Sequence, residues 1–345
     1  VITEDFFNLT PDIILHLVES LGLNPTGHCF ALNSLENRVY SVRLEADENI
    51  VVKFYRPGRW TKEQILEEHG FLFDLQENEI PVCAPRIFQG KSLFEKAGIY
   101  CAIWNRTGGR APEELTTEEL QMLGRYLGRL HNVGASTRTK HRNQLTAKKY
   151  GIEPLRFVIE KGFIPITLQK KYSELVNEVC EIYESFLEEE QFIRIHGDCH
   201  KGNILKGENG FFFLDFDDFL SGPAVQDIWM VLPPQNAEGI VAREALLSGY
   251  REFREFNDSS LRLIEVLRAL RYIHYSAWIA RRWEDPSFLN AFPHFGDEEY
   301  WTKEIKDLEI QLAFIYSGES VSSNDSIPEV KEELPLTNKD FFWDM

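Results

Sequence analysis

Between Asn105 and Pro112 the hydrophobic pattern of the chain changes period, and this change limits the fold more than any other feature. Before it, apolar runs of strand length dominate: Cys29–Leu32, Val39–Leu44, Ile50–Tyr55, Ser92–Phe94 and Ile99–Trp104. Asn33-Ser34-Leu35-Glu36-Asn37 separates the first two, and Asp47-Glu48-Asn49 turns between the next two. Two helices are interleaved with them. One starts at Thr10-Pro11 and stops at Gly22, with Ile14, Leu17, Val18 and Leu21 as its stripe. The other spans about Thr61–Leu75. After Thr107-Gly108-Gly109 the spacing becomes helical: Leu120, Leu123, Leu127 and Leu130, then Tyr172, Leu175, Val179, Ile182 and Phe186. Long helices are predicted over Ser259–Trp283 and Glu298–Tyr316. Short strands fall between them at Phe192–Ile195, Ile204–Leu205 and Phe211–Leu214, with Glu208-Asn209-Gly210 as a hairpin turn.

The pattern reads as an α+β fold of two lobes: a small antiparallel β-rich lobe over 1–104 and a larger, mostly helical lobe over 105–316. A polar, acidic tail follows over 317–345. Such a layout suggests a ligand cleft between the lobes. A length of 345 residues agrees with about two domains. Asp plus Glu number 55 against 37 Lys plus Arg, a formal charge of −18. That balance argues against a protein whose main task is to hold a nucleic-acid backbone, but it leaves room for one basic nucleotide pocket. No apolar run approaches the roughly 20 residues of a membrane span. Val1–Phe7 carries Glu4 and Asp5 and has neither the basic nor the apolar region of a secretion signal. The five cysteines, Cys29, Cys83, Cys101, Cys180 and Cys199, are widely spaced and form no C-x-x-C. Neither a disulfide framework nor a zinc module is expected, and a cytoplasmic protein without nucleic-acid or membrane partners is.

Chemistry is concentrated in His196-Gly197-Asp198-Cys199-His200-Lys201-Gly202-Asn203, followed after a short hairpin by Leu214-Asp215-Phe216-Asp217-Asp218. Both segments adjoin predicted strands, which can hold polar side chains rigidly. Phosphoryl transfer uses these residue types. One carboxylate orients the attacking hydroxyl, while an amide oxygen and a second carboxylate hold Mg²⁺ on the nucleotide phosphates. Asp198 fits the first role, and Asn203 with Asp215 fits the second. A lone H-x-D is a solvated loop; H-x-D-x-x-x-x-N followed by D-F-D is far more specific.

At these residues the chain resembles the protein-kinase-like superfamily in its aminoglycoside/choline phosphotransferase branch, where an HGDxHxGN loop precedes an IDFD-type segment. Pro223-Ala224-Val225-Gln226-Asp227 is similar to a further element of that branch, whose aspartate caps the catalytic loop backbone. More closely, the chain resembles the bacterial stress response kinase A group. Supporting stretches are Asn33 through Tyr40, Val52 through Trp60, Gln64 through His69, and His196 through Asn203. The resemblance implies a two-lobed protein-kinase-like fold, ATP and Mg²⁺ as donor and cofactor, and Ser/Thr hydroxyls of proteins as acceptors.

A kinase also needs a strand lysine on the phosphates and a helix glutamate that pairs with it. Lys53 is the one lysine in Val51-Val52-Lys53-Phe54, either as that ligand or as an exposed edge residue. Glu68 falls on the apolar stripe with Ile65, Leu72 and Leu75, where an unpaired carboxylate is costly, and Glu67 falls off it. No G-x-G-x-x-G occurs. The turn containing Asn33, Ser34 and Asn37 either covers the phosphates or is a plain hairpin turn. Ala102-Ile103-Trp104-Asn105 is the expected hinge, whose backbone reads the adenine, with Ile103 and Trp104 as its ATP-binding residues. His200 either stabilises charge at the γ-phosphate or packs the loop. Asp217 either assists the metal or faces solvent, and Asp218 is structural. Arg262, Arg268, Arg271, Arg281 and Arg282 are read as solvated arginines of an amphipathic helix, in preference to an anion site. Tyr272, Tyr275, Trp278 and Trp283 are read as core. Two other readings stay open: a kinase for an amino alcohol, sugar or aminoglycoside, and a catalytically silent nucleotide-binding scaffold.

Overall fold

A computed structural model describes residues 4–187, 190–207, 210–232 and 237–317. The expected tail, apart from Ser317, and the turn residues Glu208 and Asn209 lie outside the described residues. In chain order the elements are α1 (Glu4–Phe7), α2 (Pro11–Ser20), β1 (Pro25–Leu32), β2 (Arg38–Leu44), β3 (Asn49–Phe54), α3 (Lys62–Glu77), β4 (Phe94–Lys96) and β5 (Ile99–Asn105). They continue with α4 (Thr117–Ser136), α5 (Glu153–Glu160), α6 (Ile166–Phe186), β6 (Phe192–Ile195), β7 (Ile204–Gly207), β8 (Gly210–Phe213) and β9 (Leu220–Pro223). The last are α7 (Val225–Met230), α8 (Ala237–Arg251), α9 (Leu263–Ala280), α10 (Pro286–Ala291) and α11 (Glu298–Ser317). No described helix is long and apolar enough to cross a membrane.

The chain divides into two compact units. The first comprises 1–112, 139–142 and 203–219. Its centre is a five-stranded antiparallel sheet of order β1-β2-β3-β5-β4. Strand alternation gives the sheet two buried faces. Ile50, Val52 and Phe54 of β3 pack with Ile14, Leu17 and Val18 of α2, whereas Tyr55 packs with Ile65 of α3. Helix α3 starts at a capping box in which Thr61 and Gln64 satisfy each other's backbone N–H groups. The β7–β8 hairpin joins this unit through main-chain bonds. Lys206 exchanges both with Arg110 at 3.1 and 2.8 Å, and Phe213 N–H donates to Pro81 at 2.8 Å. Phe71 of α3 seals the contact, with its ring 5.9 Å from Phe216 and 5.2 Å from Phe219.

The second unit, 113–138, 143–202 and the described residues from 220 onward, is helical around one large core. The predicted helix over Ser259–Trp283 begins with a 3₁₀ turn at Asp258–Arg262 before α9. The strand β9 was not expected from the sequence; it pairs antiparallel with β6. Helices α4 and α8 approach to backbone contact, and glycines make this possible. A Cβ on Gly124 would sit 2.0 Å from the Leu246 carbonyl oxygen, and one on Gly249 would sit 2.0 Å from that of Gln121. Replacement Gly124→Ala is therefore expected to destabilise the fold by about 1–3 kcal/mol through overpacking, which a thermal melt measures as a lower Tm.

Candidate functional site

In the first unit, β3 carries Lys53 into the interior. It is 8 % exposed and lies on the sheet's central strand, which removes the edge-lysine reading. Its Nζ donates to Asp215 Oδ1 at 3.1 Å and to Asp217 Oδ1. The rings of Tyr55 and Trp104 flank it at 4.9 and 5.6 Å. Burial works to lower the Lys53 pKa, but Asp215 and Asp217 outweigh it and hold the amine charged, above its usual range.

Asp217 is a buried hub rather than a solvent-facing group. It is 3 % exposed and also accepts Asn37 Nδ2 at 2.6 Å and Arg59 Nη1 at 3.2 Å. Burial pushes its carboxyl up, and Lys53 and Arg59 more than reverse this, to about 2. Asp218 accepts Arg59 Nη2 at 2.6 Å, the structural role expected of it. Asp215 differs from both. Its side chain is 52 % exposed and its backbone is left-handed, with φ 50°, a conformation aspartate tolerates better than most residues. The Asn203 carbonyl accepts Leu214 N–H at 2.8 Å, continuing the register of Ile204 opposite Phe213. Asn203 and Asp215 are thus neighbours at the open end of the β7–β8 hairpin.

Glu68 is 1 % exposed, on the buried face that the stripe predicts; it feels the Lys53 charge but makes no ion pair with it. The lysine is already held by two carboxylates. Glu68 Oε1 accepts Tyr55 Oη–H at 3.5 Å, and Oε2 has no partner. Burial pushes its carboxyl up to about 8, and Lys53 only partly counters this. A raised acid binds its proton more tightly folded than unfolded, so its contribution to stability falls as pH rises from about 4.5 to about 8. Glu68→Gln is expected to flatten that part of the stability–pH curve, measured by urea titration at pH 5 and 8; an unchanged slope would refute the assignment. Glu67 makes a separate brace. Its carboxylate accepts the N–H groups of Lys140, His141 and Arg142 at 2.5–2.7 Å. Arg142 then donates through Nε to the Phe219 carbonyl at 2.9 Å and through Nη2 to that of Asp217.

The turn between β1 and β2 is tied from beneath. Arg56 donates through Nε to the Glu36 carbonyl at 2.8 Å and through Nη2 to that of Leu35 at 3.0 Å. Ser34 Oγ accepts Asn37 N–H at 3.2 Å. The Asn37 side chain is committed to Asp217 and to Arg56 N–H, so it is not open to a phosphate; Asn33 and Ser34 stay on the turn. The expected hinge residues are strand residues. Ala102 through Asn105 lie inside β5, opposite Lys53 through Ile50, and the Ile103 carbonyl accepts Arg86 N–H at 2.6 Å. The ladder extends to Asn105 because its apolar residues match β3 throughout.

The second unit holds Asp198. Its Oδ1 accepts Arg271 Nη1 of α9 at 2.7 Å, and His200 Nε2 lies 3.5 Å from Oδ2. Burial raises the carboxyl, but Arg271 and then His200 overcome it and hold it well below the carboxylate range. The Gly202 N–H donates to His200 Nδ1 at 3.0 Å, which leaves the His200 proton on Nε2, facing Asp198. Asp227 accepts the backbone N–H groups of His196 and Gly197, each at 2.8 Å, and pairs with His131 Nε2 at 3.0 Å. His131 Nδ1 in turn meets Tyr250 Oη at 3.0 Å. Cys199 is buried, with its thiol pushed well up, and is inert.

The arginines on and beside α9 are not solvated as a group. Arg271 holds Asp198, while Arg268 and Arg282 are buried against Trp229 and Trp278. Tyr272 and Tyr275 lie in the core, and Trp278 stacks on Tyr275 at 5.0 Å. Sequence reasoning missed Arg59, Arg142, Arg271 and His131 as partners. Only His131 carried a signal, as a histidine beside the leucine stripe of α4.

Residues 30–264 match the phosphotransferase enzyme family. The chain is 40 % identical over 300 residues to stress response kinase A of Escherichia coli strain K12, covering 87 % of this chain and 91 % of that protein. It is 38 % identical over 303 residues to the serine/threonine protein kinase RdoA of Salmonella typhimurium strain LT2, with the same two coverages. Among solved structures, amicoumacin kinase hAmiN in complex with AMP-PNP, Ca²⁺ and Ami is similar. The TM-score is 0.65 at 21 % identity, covering 85 % of this chain and 93 % of that one.

Proposed function

The chain belongs to the phosphotransferase enzyme family, and from that premise we propose an ATP- and Mg²⁺-dependent kinase that phosphorylates Ser/Thr hydroxyls of proteins in a bacterial cytoplasmic stress response. The observation that carries the kinase part is the ordered set Lys53, Asp198, Asn203 and Asp215, each on a locally braced segment. The acceptor is supported by the relatives at 38–40 % identity, one of them named a serine/threonine protein kinase. The amicoumacin kinase is a small-molecule enzyme, but at 21 % identity it speaks for the fold alone.

The donor set suits the metal. Asn203 and Asp215 offer hard oxygen atoms, and Asp215 is half exposed and lightly engaged, as a Mg²⁺ ligand shared with phosphates must be. Bound there, Mg²⁺ would neutralise charge on the transferring phosphoryl group. Lys53 meets the phosphates with a charged amine. Asp198 accepts the acceptor's O–H and aims its oxygen. The same carboxylate takes the hydroxyl proton as the new oxygen–phosphorus bond forms. His200 and Arg271 hold the Asp198 carboxylate in place.

The test is γ-phosphate transfer from labelled ATP with Mg²⁺ to a generic Ser/Thr protein substrate, beside a panel of amino alcohols, sugars and aminoglycosides. Label in protein supports the reading. Label only in the panel moves the acceptor to small molecules, and ATP binding without any transfer leaves a scaffold.

A further inference from the structure

We propose that Asp217, and not the helix glutamate Glu68, is the carboxylate that positions Lys53 on the nucleotide phosphates, an inference that rests on the kinase reading above. Lys53 has two anionic partners, Asp215 and Asp217, and they are unlike. Asp215 is half exposed and is the carboxylate a metal would engage. Asp217 is buried and gripped from three sides: β3 through Lys53, the end of the β1–β2 turn through Asn37, and the β3–α3 loop through Arg59. Arg142 also fixes the Asp217 backbone through its carbonyl. A group so constrained holds the lysine in one place whether or not Asp215 is occupied elsewhere.

Glu68 is engaged differently. Tyr55 Oη meets both Glu68 Oε1 at 3.5 Å and His69 Nε2 at 2.9 Å, and His69 Nδ1 meets Ser92 Oγ at 2.9 Å. This buried chain fastens α3 to the sheet and to the segment before β4. For Glu68 to reach Lys53 it would have to compete with two carboxylates already within ion-pair distance. The positioning role has passed from the helix to the D-F-D segment, and Glu68 serves α3.

Two double-mutant cycles test this. Lys53→Met is combined with Asp217→Asn, and separately with Glu68→Gln. Each variant is titrated with ATP and Mg²⁺ by calorimetry, and KM for ATP and kcat are measured wherever transfer is observed. Asp217→Asn is expected to weaken ATP binding by about tenfold in the parent and by less than about twofold once Lys53 is Met. The Glu68→Gln effect is expected to be the same, within about twofold, in both backgrounds. The KM for ATP should carry the Asp217→Asn effect more than kcat does, which a merely structural role would not produce. A Glu68→Gln effect that disappears without Lys53, or an Asp217→Asn effect that persists, overturns the proposal. Should Asp217→Asn fail to fold, the Glu68 cycle decides alone: coupling overturns it and independence supports it. ATP binding without transfer would sink the phosphotransfer reading yet leave both cycles readable. A parent chain that does not bind ATP overturns both.

Discussion

Asp198→Asn is expected to lower turnover by roughly 10²–10⁴-fold, the usual contribution of a positioned proton acceptor, while ATP affinity survives. The two side chains have the same shape, so the loop keeps its packing. What changes is one atom, from an anionic acceptor to an amide. Arg271, at 2.7 Å, loses its charge partner, and the acceptor hydroxyl loses the group that orders its O–H. The proposed nucleotide groups Lys53, Asn203 and Asp215 belong to the other compact unit and keep their own side chains. Turnover is read by single-turnover label transfer and affinity by calorimetry. Parent-like turnover would remove Asp198 from the chemistry, and a parallel loss of ATP binding would show that the change had spread beyond the loop.

Asp227→Ala is expected to cost about 3–5 kcal/mol of stability, because each buried donor left unpaired costs about 1–3 kcal/mol. Three donors converge on this carboxylate: the N–H groups of His196 and Gly197, and His131 Nε2. Asp227 is 0 % exposed, so water cannot replace it without opening the core. Gly197 has φ 83°, and the chain turns there immediately before Asp198. Losing the cap should therefore loosen the loop as well as the fold. Urea denaturation measures the first effect, and hydrogen exchange at the 196–198 amides measures the second. A midpoint within the error of the parent would show that the cap contributes little.

Element by element, the two periodicities were the readable part. The strands β2, β3 and β5 and the helices α2, α3, α4, α6 and α11 fall where alternation and three-to-four spacing put them, with ends displaced by a few residues. The strand β9 was unreadable, because Leu220-Ser221-Gly222-Pro223 has neither length nor alternation and is a strand only through pairing with β6. The H-x-D-x-x-x-x-N and D-F-D segments stood out in the sequence as the candidate site, because few tasks put those side chains at that spacing.

Partners were not legible. Periodicity placed Glu68 on a buried face but could not say what it meets there, and the lysine went to a carboxylate 164 positions along the chain. No pattern in the sequence shows that Asn37, Arg59 and Lys53 converge on Asp217. The same holds for Arg271, one of two arginines on α9 and the one whose guanidinium reaches Asp198. By itself the sequence determined the two-part architecture and which faces are buried, because burial and backbone propensity are local properties that recur every two or four residues. Only the tertiary structure decided which charge neutralises which. An ion pair in a low-dielectric interior depends on a few ångströms between residues far apart in the chain, and no local pattern encodes that distance.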